Sequence, residues 1–252
     1  MTAATSSLPG SGTSGAGAGA RSRARRRLLL GVLVVVLAGV GWQLATWPDV
    51  AALAEKDPET TAFIERYERR QGEAGRVAWR RVPYDRISPH LKRAVLVAED
   101  IDFFSHDGFA AGEIRTAIRE AIEEREFPRG ASTITQQLAK NLWLSPSRNP
   151  WRKLEEAILT RQLEAHLAKR RILELYLNVA EFGPGIFGAE AAARHYFGKP
   201  AAALSPWEAA SLAAGLPNPG RWHPGSGSAA RERRAARIRR RMEKAAWLWK
   251  EI

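Results

Sequence analysis

Cysteine does not occur anywhere in the 252 residues, which rules out a disulfide framework and any thiolate chemistry. A domain of this kind is held by its core alone. Histidine is scarce, and the five that occur show no H-E-x-x-H or comparable ligand spacing, so no dedicated metal cage is expected. Acid falls short of base: 27 Asp and Glu stand against 39 Lys and Arg, a net charge of +12. An excess of that size calls for an anionic neighbour. Internal repeats are lacking, and strand-like alternation is confined to one short stretch, Arg76 to Val82. A mainly α domain follows.

Charge is also missing from one long run. Residues 1–20 are mostly Ser, Gly, Ala, Thr and Pro, cannot bury a core, and read as a disordered cytoplasmic tail. A basic flank follows at 21–27, and then residues 28–47 are apolar. About 20 residues make roughly 30 Å of helix, enough to cross a bilayer core. Trp42 and Trp47 suit the far interface, and the Arg cluster stays cytoplasmic. The expectation is a single-pass helix in the cytoplasmic (inner) membrane, with the remainder periplasmic or otherwise extracytoplasmic. A cleaved signal peptide is the rival, but the run is longer than a typical signal core and lacks a small-x-small cleavage site. Outside the cytoplasm, the positive charge fits anionic headgroups and a phosphate-bearing lipid better than nucleic acid. Residues 48–75 read as a linker containing a helix from Asp57 to Arg70, and 76–252 as the domain proper. From Ile87 the pattern is helical almost to the end, with loops at Phe127–Gly130, Ser145–Pro150, Phe182–Gly188 and Pro217–Gly227.

Three helical segments carry the chemistry. In Arg129–Asn141, Ser132 is the expected N-cap, and Ile134, Leu138 and Leu142 form an apolar stripe. Thr133, Gln136 and Lys140 lie opposite, with donors and acceptors suited to sugar and phosphate oxygens; the alternative is a solvated helix face. A second helix starts at Ser88-Pro89, buries Leu91, Ala94, Val95 and Ala98, and ends on Glu99 and Asp100. Acids at a helix C-terminus oppose its dipole, so a carboxylate there is expected to ionise less readily, unless this is an exposed end with two solvated acids. A third helix begins at Trp151 with Arg152 and Lys153 in its first turn, again against the dipole. Arg152 and Glu156 form an i,i+4 pair in the less favourable order. Two breaches of local rules point to a site, against the alternative of an ordinary surface ion pair. Gly183–Gly188 matches G-x-G-x-x-G but follows a helix rather than a strand. It is read as a tight loop where backbone passes close to a neighbour or ligand. Arg231 to Lys244 reads as a helix with Ala235, Ile238 and Met242 inward and Arg outward.

Taken in order, these segments resemble glycosyltransferase family 51, the peptidoglycan glycosyltransferases, from about Val82 to Pro219. The motifs are EDIDFFSHDG at 99–108, GASTITQQLAKN at 130–141, RKLEE at 152–156, and ILELYLN at 172–178 with FGPGIFG at 182–188 and YFGK at 196–199. EAASLA at 208–213 and PNP at 217–219 complete the set. Ala110, where the family usually has Asp, is a departure. No Ser-x-x-Lys or Lys-Thr-Gly accompanies them, so the chain is similar to the monofunctional branch.

The resemblance implies a lysozyme-like helical lobe with a small membrane-proximal jaw, roughly Phe103–Arg129. It also implies inverting transfer from a glycan on undecaprenyl diphosphate to the GlcNAc 4-hydroxyl of lipid II. Glu99 and Glu156 are then the catalytic carboxylates, Glu99 fitting the base. Glu156 would orient the cations or assist the leaving group. Substrate contacts fall to Asp100, Phe103, His106, Ser132, Thr133, Gln136, Gln137, Lys140, Asn141, Arg152, Lys153, Asn178 and Gly185, with Lys140, Arg152 and Lys153 on the diphosphate. No cofactor is obligatory, though a divalent cation (Mg or Mn) is compatible. The implied partners are lipid II, the lipid-linked glycan, the membrane and other cell-wall synthesis proteins, not nucleic acid. Two carboxylates alone also fit a membrane-anchored, lysozyme-like glycan hydrolase. An inactive cell-wall scaffold is the other rival, which intact Glu99 and Glu156 argue against.

Overall fold

The computed structural model describes residues 29–35, 37–39, 41–43, 45–72, 77–109, 132–146 and 150–252. The chain divides into two compact units, Met1–Pro48 and Asp49–Ile252. In the first, residues 29–35, 37–39 and 41–43 are helical and expose their apolar side chains, Trp42 to 72%. Among the described residues no helix is long and apolar enough to cross a membrane. Part of the expected span, and residues 110–131 of the expected jaw with Ala110, lie outside the described residues.

The second unit is mainly helical. Its α-helices are α1 (Ala62–Gln71), α2 (Pro89–Glu99), α3 (Ile134–Trp143), α4 (Pro150–His166), α5 (Lys169–Val179), α6 (Ala189–Phe197), α7 (Pro206–Ala213) and α8 (Ala229–Lys244). Helix α1 starts later than the expected Asp57. Thr61 caps it by accepting from the Ile64 amide at 3.1 Å, while Asp57 pairs with Arg171 at 2.8 Å. The helices form two groups: α2, α7 and α8 pack together, as do α3, α4 and α5, with α1 laid on α3.

Helix α2 is the centre of the first group. The sequence pattern gave it one buried face, yet every residue from Leu91 to Val97 is buried, Lys92 and Arg93 included. Both cations find partners. The Lys92 ammonium sits 3.6 Å from the Tyr84 ring centroid. Arg93 donates to the carbonyls of Met242 and Ala245 at the end of α8 and lies over the Trp249 ring at 4.1 Å. A cation belongs there, because a helix C-terminus leaves carbonyls unpaired. Burial lowers the pKa of both Lys92 and Arg93 from their ordinary values.

Helix α3 is capped by Thr133, not Ser132. Thr133 Oγ1 accepts from the Gln136 amide at 3.2 Å, and Gln136 Oε1 accepts from the Thr133 amide at 2.9 Å. Only this register puts a Gln three residues beyond the cap, where it can reach back. The C-terminal helix departs from expectation too. Arg231 points inward beside Ala235, Ile238 and Met242 and donates to Ser211 Oγ at 2.6 Å.

The loop at Gly183–Gly188 is a small hairpin. Strands β2 (Glu181–Gly183) and β3 (Ile186–Phe187) pair antiparallel, and β1 (Ala78–Trp79) joins β3 in parallel. The close backbone approach expected there is found at Gly188. Its φ is +83°, and an added Cβ would lie 2.6 Å from the Asn178 carbonyl oxygen. Gly198, at the end of α6, has φ +67° with open space around it. Gly198→Ala should therefore cost only the left-handed backbone term, roughly 1–2 kcal/mol. Gly188→Ala adds a backbone clash and should cost clearly more in chemical denaturation. Equal costs would show that the Asn178 carbonyl yields freely.

Candidate active site

The two helix groups meet where α2 stops. Asp100 follows its last residue and is buried, and its carboxylate accepts from the Ile134 amide at 2.9 Å, at the start of α3. An anion at a helix N-terminus is favourable. The same carboxylate accepts from His106 Nε2 at 3.0 Å, while His106 Nδ1 accepts from the Gly108 amide at 3.0 Å. This pattern places a hydrogen on Nε2 and a lone pair on Nδ1. Thr133 Oγ1 donates to the Gly108 carbonyl at 2.7 Å. Phe103 is fully buried, with the Lys169 ammonium 4.6 Å from its ring centroid. Asp100, Phe103, His106, Thr133 and Gln136 thus build the loop after α2 and the cap of α3.

Glu99, one residue earlier, faces the seam between the groups. Its Oε1 accepts from Arg234 of α8 at 2.9 Å, and its Oε2 from Gln137 Nε2 of α3 at 3.1 Å. These two donors offset the partial negative charge of the helix end on which Glu99 sits. Gln137 Nε2 also donates to the carbonyl of exposed Ser132 at 3.3 Å. Gln137 Oε1 accepts from the Tyr176 hydroxyl at 2.9 Å, which fixes which end of the amide faces Glu99. Burial, and then the charges of Glu99 and Asp100, push the Tyr176 phenol well above its ordinary pKa, so it stays a donor.

Lys140 lies one turn beyond Gln137 on the same helix, with Asn141 beside it. The Lys140 ammonium makes no hydrogen bond or short ion pair to a described residue. Burial lowers its pKa from the ordinary value; Glu156 raises it, Arg152 and Lys153 lower it, and Glu99 raises it. Its ammonium therefore feels both carboxylates. Glu156, in the first turns of α4, is only 3% exposed and is gripped by Arg152 Nη1 at 2.6 Å and Lys153 Nζ at 2.5 Å. The Arg152–Glu156 pair is not a solvated surface pair, because its carboxylate is buried. Arg152 Nε, also buried, has no hydrogen-bond partner among the described residues.

Two predicted site residues make scaffold contacts. Asn178 donates to the carbonyls of Val82 and Glu174 and accepts from the Val82 amide, each at 2.9 Å, so its amide ties the segment after β1 to α5. The Gly185 carbonyl accepts from the Ala78 amide at 2.8 Å and serves the sheet. Two residues in the site escaped the sequence reading, Tyr176 and Arg234. The signal for Arg234 was its place three residues after Arg231 and four before Ile238, at the edge of the inward stripe. Among the described residues no three His, Asp or Glu gather to bind a divalent cation.

A family model described as Transglycosylase matches residues 68–243. A biosynthetic peptidoglycan transglycosylase of Laribacter hongkongensis is 46% identical over 195 residues, covering 76% of this chain and 86% of that protein. One from Aromatoleum aromaticum is 48% identical over 214 residues, covering 84% and 93%. A third, from Nitrosomonas eutropha, is 51% identical over 165 residues, covering 64% and 68%.

Burial of the Lys140 ammonium has a cost that can be read from stability. The unfolded chain holds this proton to higher pH than the folded one. Stability should therefore rise as pH passes through the folded pKa toward the unfolded value, about 10.4. Lys140→Met should raise the melting temperature at pH 7, with the gain shrinking as pH approaches 10. A variant less stable than wild type at pH 7 would show that attraction to Glu156 and Glu99 outweighs burial.

Proposed function

The chain belongs to the transglycosylase family, and on that premise we propose that it polymerises peptidoglycan glycan strands for the cell wall. The donor is a growing strand held through its anomeric carbon on undecaprenyl diphosphate, and the acceptor is the GlcNAc 4-hydroxyl of lipid II. The reading is carried by one arrangement: α3 presents Gln137, bonded to Glu99, one turn from Lys140, whose ammonium feels the Arg152–Lys153–Glu156 cluster. A base stands on one side and a nest of cations on the other, as displacement of a diphosphate requires.

In this reaction the acceptor oxygen bonds to the anomeric carbon from the face opposite the diphosphate, and its proton passes to Glu99. The carbon–oxygen bond to the diphosphate breaks, and the electron pair leaves with the phosphate. Attack from the opposite face inverts the centre and gives a β-1,4 link. Each Glu99 oxygen receives one protein donor and keeps a lone pair for the proton. Lys140, Arg152 and Lys153 meet the charge building on the leaving diphosphate. Glu156, buried between two cations, acts through them as a positioning residue. A lysozyme-like hydrolase has no diphosphate to hold, and these three cations weigh against it.

Residues 28–47 are the membrane anchor in this reading, with the N-terminus cytoplasmic and the catalytic unit outside. The support is their apolar run, the preceding Arg cluster, and exposure of the described apolar side chains.

Glu99→Gln should leave the fold intact and lower polymerisation of labelled lipid II by about 10²–10⁴-fold. Arg152→Ala, measured beside it, should cut turnover more than apparent substrate affinity, because its charge matters most in the transition state. A folded Glu99→Gln enzyme retaining over roughly a tenth of the wild-type rate would falsify the base assignment. For the anchor, reporters fused to the two ends should read opposite compartments. Recovery of a soluble mature protein lacking the apolar run would mean a cleaved signal instead.

A further inference from the structure

The guanidinium of Arg234 closes over the end of α2. Its Nη2 donates to Glu99 Oε1 at 2.9 Å and lies 3.4 Å from the Ala98 carbonyl oxygen. The Glu99 side chain is only 11% exposed, so water is a poor substitute for that donor. Helix α8 delivers Arg234 from a fixed place: Arg231, earlier on the same helix, donates to Ser211 of α7, and Arg93 holds the far end. Charges face Glu99 from every side. Asp100 follows it in the chain, with its own carboxylate engaged by the Ile134 amide and His106. From α3 come Gln137, a neutral donor, and Lys140, which feels Glu99 without bonding to it. From α5 comes the Tyr176 phenol, which the charges of Glu99 and Asp100 help to keep protonated. Arg152 and Lys153 of α4 are engaged by Glu156. Arg233 and Arg237 line, with Arg234, an open depression on the surface of α8. Among the described cations, Arg234 is the one bonded to Glu99.

We propose that Arg234 is a positioning residue for the Glu99 base: it holds Oε1, leaves Oε2 toward α3, and returns the carboxylate to its charged form after each transfer. The inference rests on the polymerase reading above. A charge-assisted bond draws electron density from the oxygen that accepts it, and Oε1 carries that bond. Among the described residues Oε2 accepts from the neutral Gln137 amide, so it is the more basic oxygen and takes the proton of the acceptor hydroxyl. It faces the helix that carries Lys140, on the side assigned to the leaving diphosphate. Before the next transfer that proton passes to water. The carbonyls at the end of α2 and the Asp100 carboxylate both oppose a charged Glu99, and the guanidinium offsets them. Arg234 acts through Glu99 and touches neither substrate.

The test compares Arg234 variants of the full chain in detergent, polymerising labelled lipid II. Arg234→Ala should lower kcat roughly ten- to a hundredfold, the range for losing one charge-assisted bond, with apparent KM changing less than about twofold. The loss should shrink as pH rises, because higher pH removes the proton that Arg234 no longer helps to expel. Arg234→Lys should restore part of the rate. So should guanidinium ion added to Arg234→Ala at constant ionic strength, since the depression is open to it. In a Glu99→Gln background, Arg234→Ala should cost nothing more. An unchanged kcat overturns the proposal, and a raised KM beside it would mean that Arg234 holds substrate. A kcat loss independent of pH and restored by neither lysine nor guanidinium also overturns it, as the mark of a role in folding alone. A readout without turnover separates this inference from the polymerase reading. The infrared carbonyl band of protonated Glu99, identified by its absence in Glu99→Gln, should persist to higher pH in Arg234→Ala than in the wild type. An unchanged band overturns the proposal even where polymer is made. If the wild type makes no polymer, the polymerase reading fails, and the band decides by itself whether Arg234 governs the charge of Glu99.

Discussion

The buried carboxylate of Asp100 holds the site together. It accepts from the first amide of α3 and from His106, and so fastens the end of α2 to the beginning of α3. Removing it would strand a buried backbone donor and a histidine at once, and unpaired buried groups cost far more than a made bond gains. Because this joint is fixed, Glu99 meets Gln137 of α3. Helix α2 is packed on all sides and pinned by Arg93 at the end of α8, so the joint rests on rigid supports.

Much of this could be read from the chain. Ser88-Pro89, the apolar spacing of α2 and the two charged first-turn residues of α4 each announced their helix and the position of Glu99, Arg152 and Glu156. The errors share a cause. Capping at Thr133 rather than Ser132 depends on which residue has a partner three positions on, a local rule that two adjacent hydroxyl residues leave ambiguous. The inward turn of Arg231 depends on Ser211, and the bond from Arg234 depends on Glu99. Both partners are distant in sequence, and periodicity carries no knowledge of distant partners. The bonds of Asn178 were hidden for a similar reason: a polar residue inside an apolar helix looks available until the strand segment that engages its amide is seen.

Local breaches of good helix design cluster at this site. Two cations oppose the dipole of α4, a half-buried lysine has no direct side-chain partner among the described residues, and an acid sits at the end of α2. Other helix ends obey the rules, with capping boxes at Thr133 and Ser205 and a left-handed glycine closing α6. Stability drawn from those ordinary parts allows strained electrostatics where charge must be held ready.

The bond between Glu99 and Arg234 joins positions far apart in the chain. A protein emerging from the ribosome or an export channel, amino end first, presents its carboxylate long before the guanidinium that steadies it. Domains fold as units, and their non-local contacts close last. An unfinished copy lacking α8 would thus carry every familiar motif and still leave the Glu99 carboxylate without its Arg234 donor.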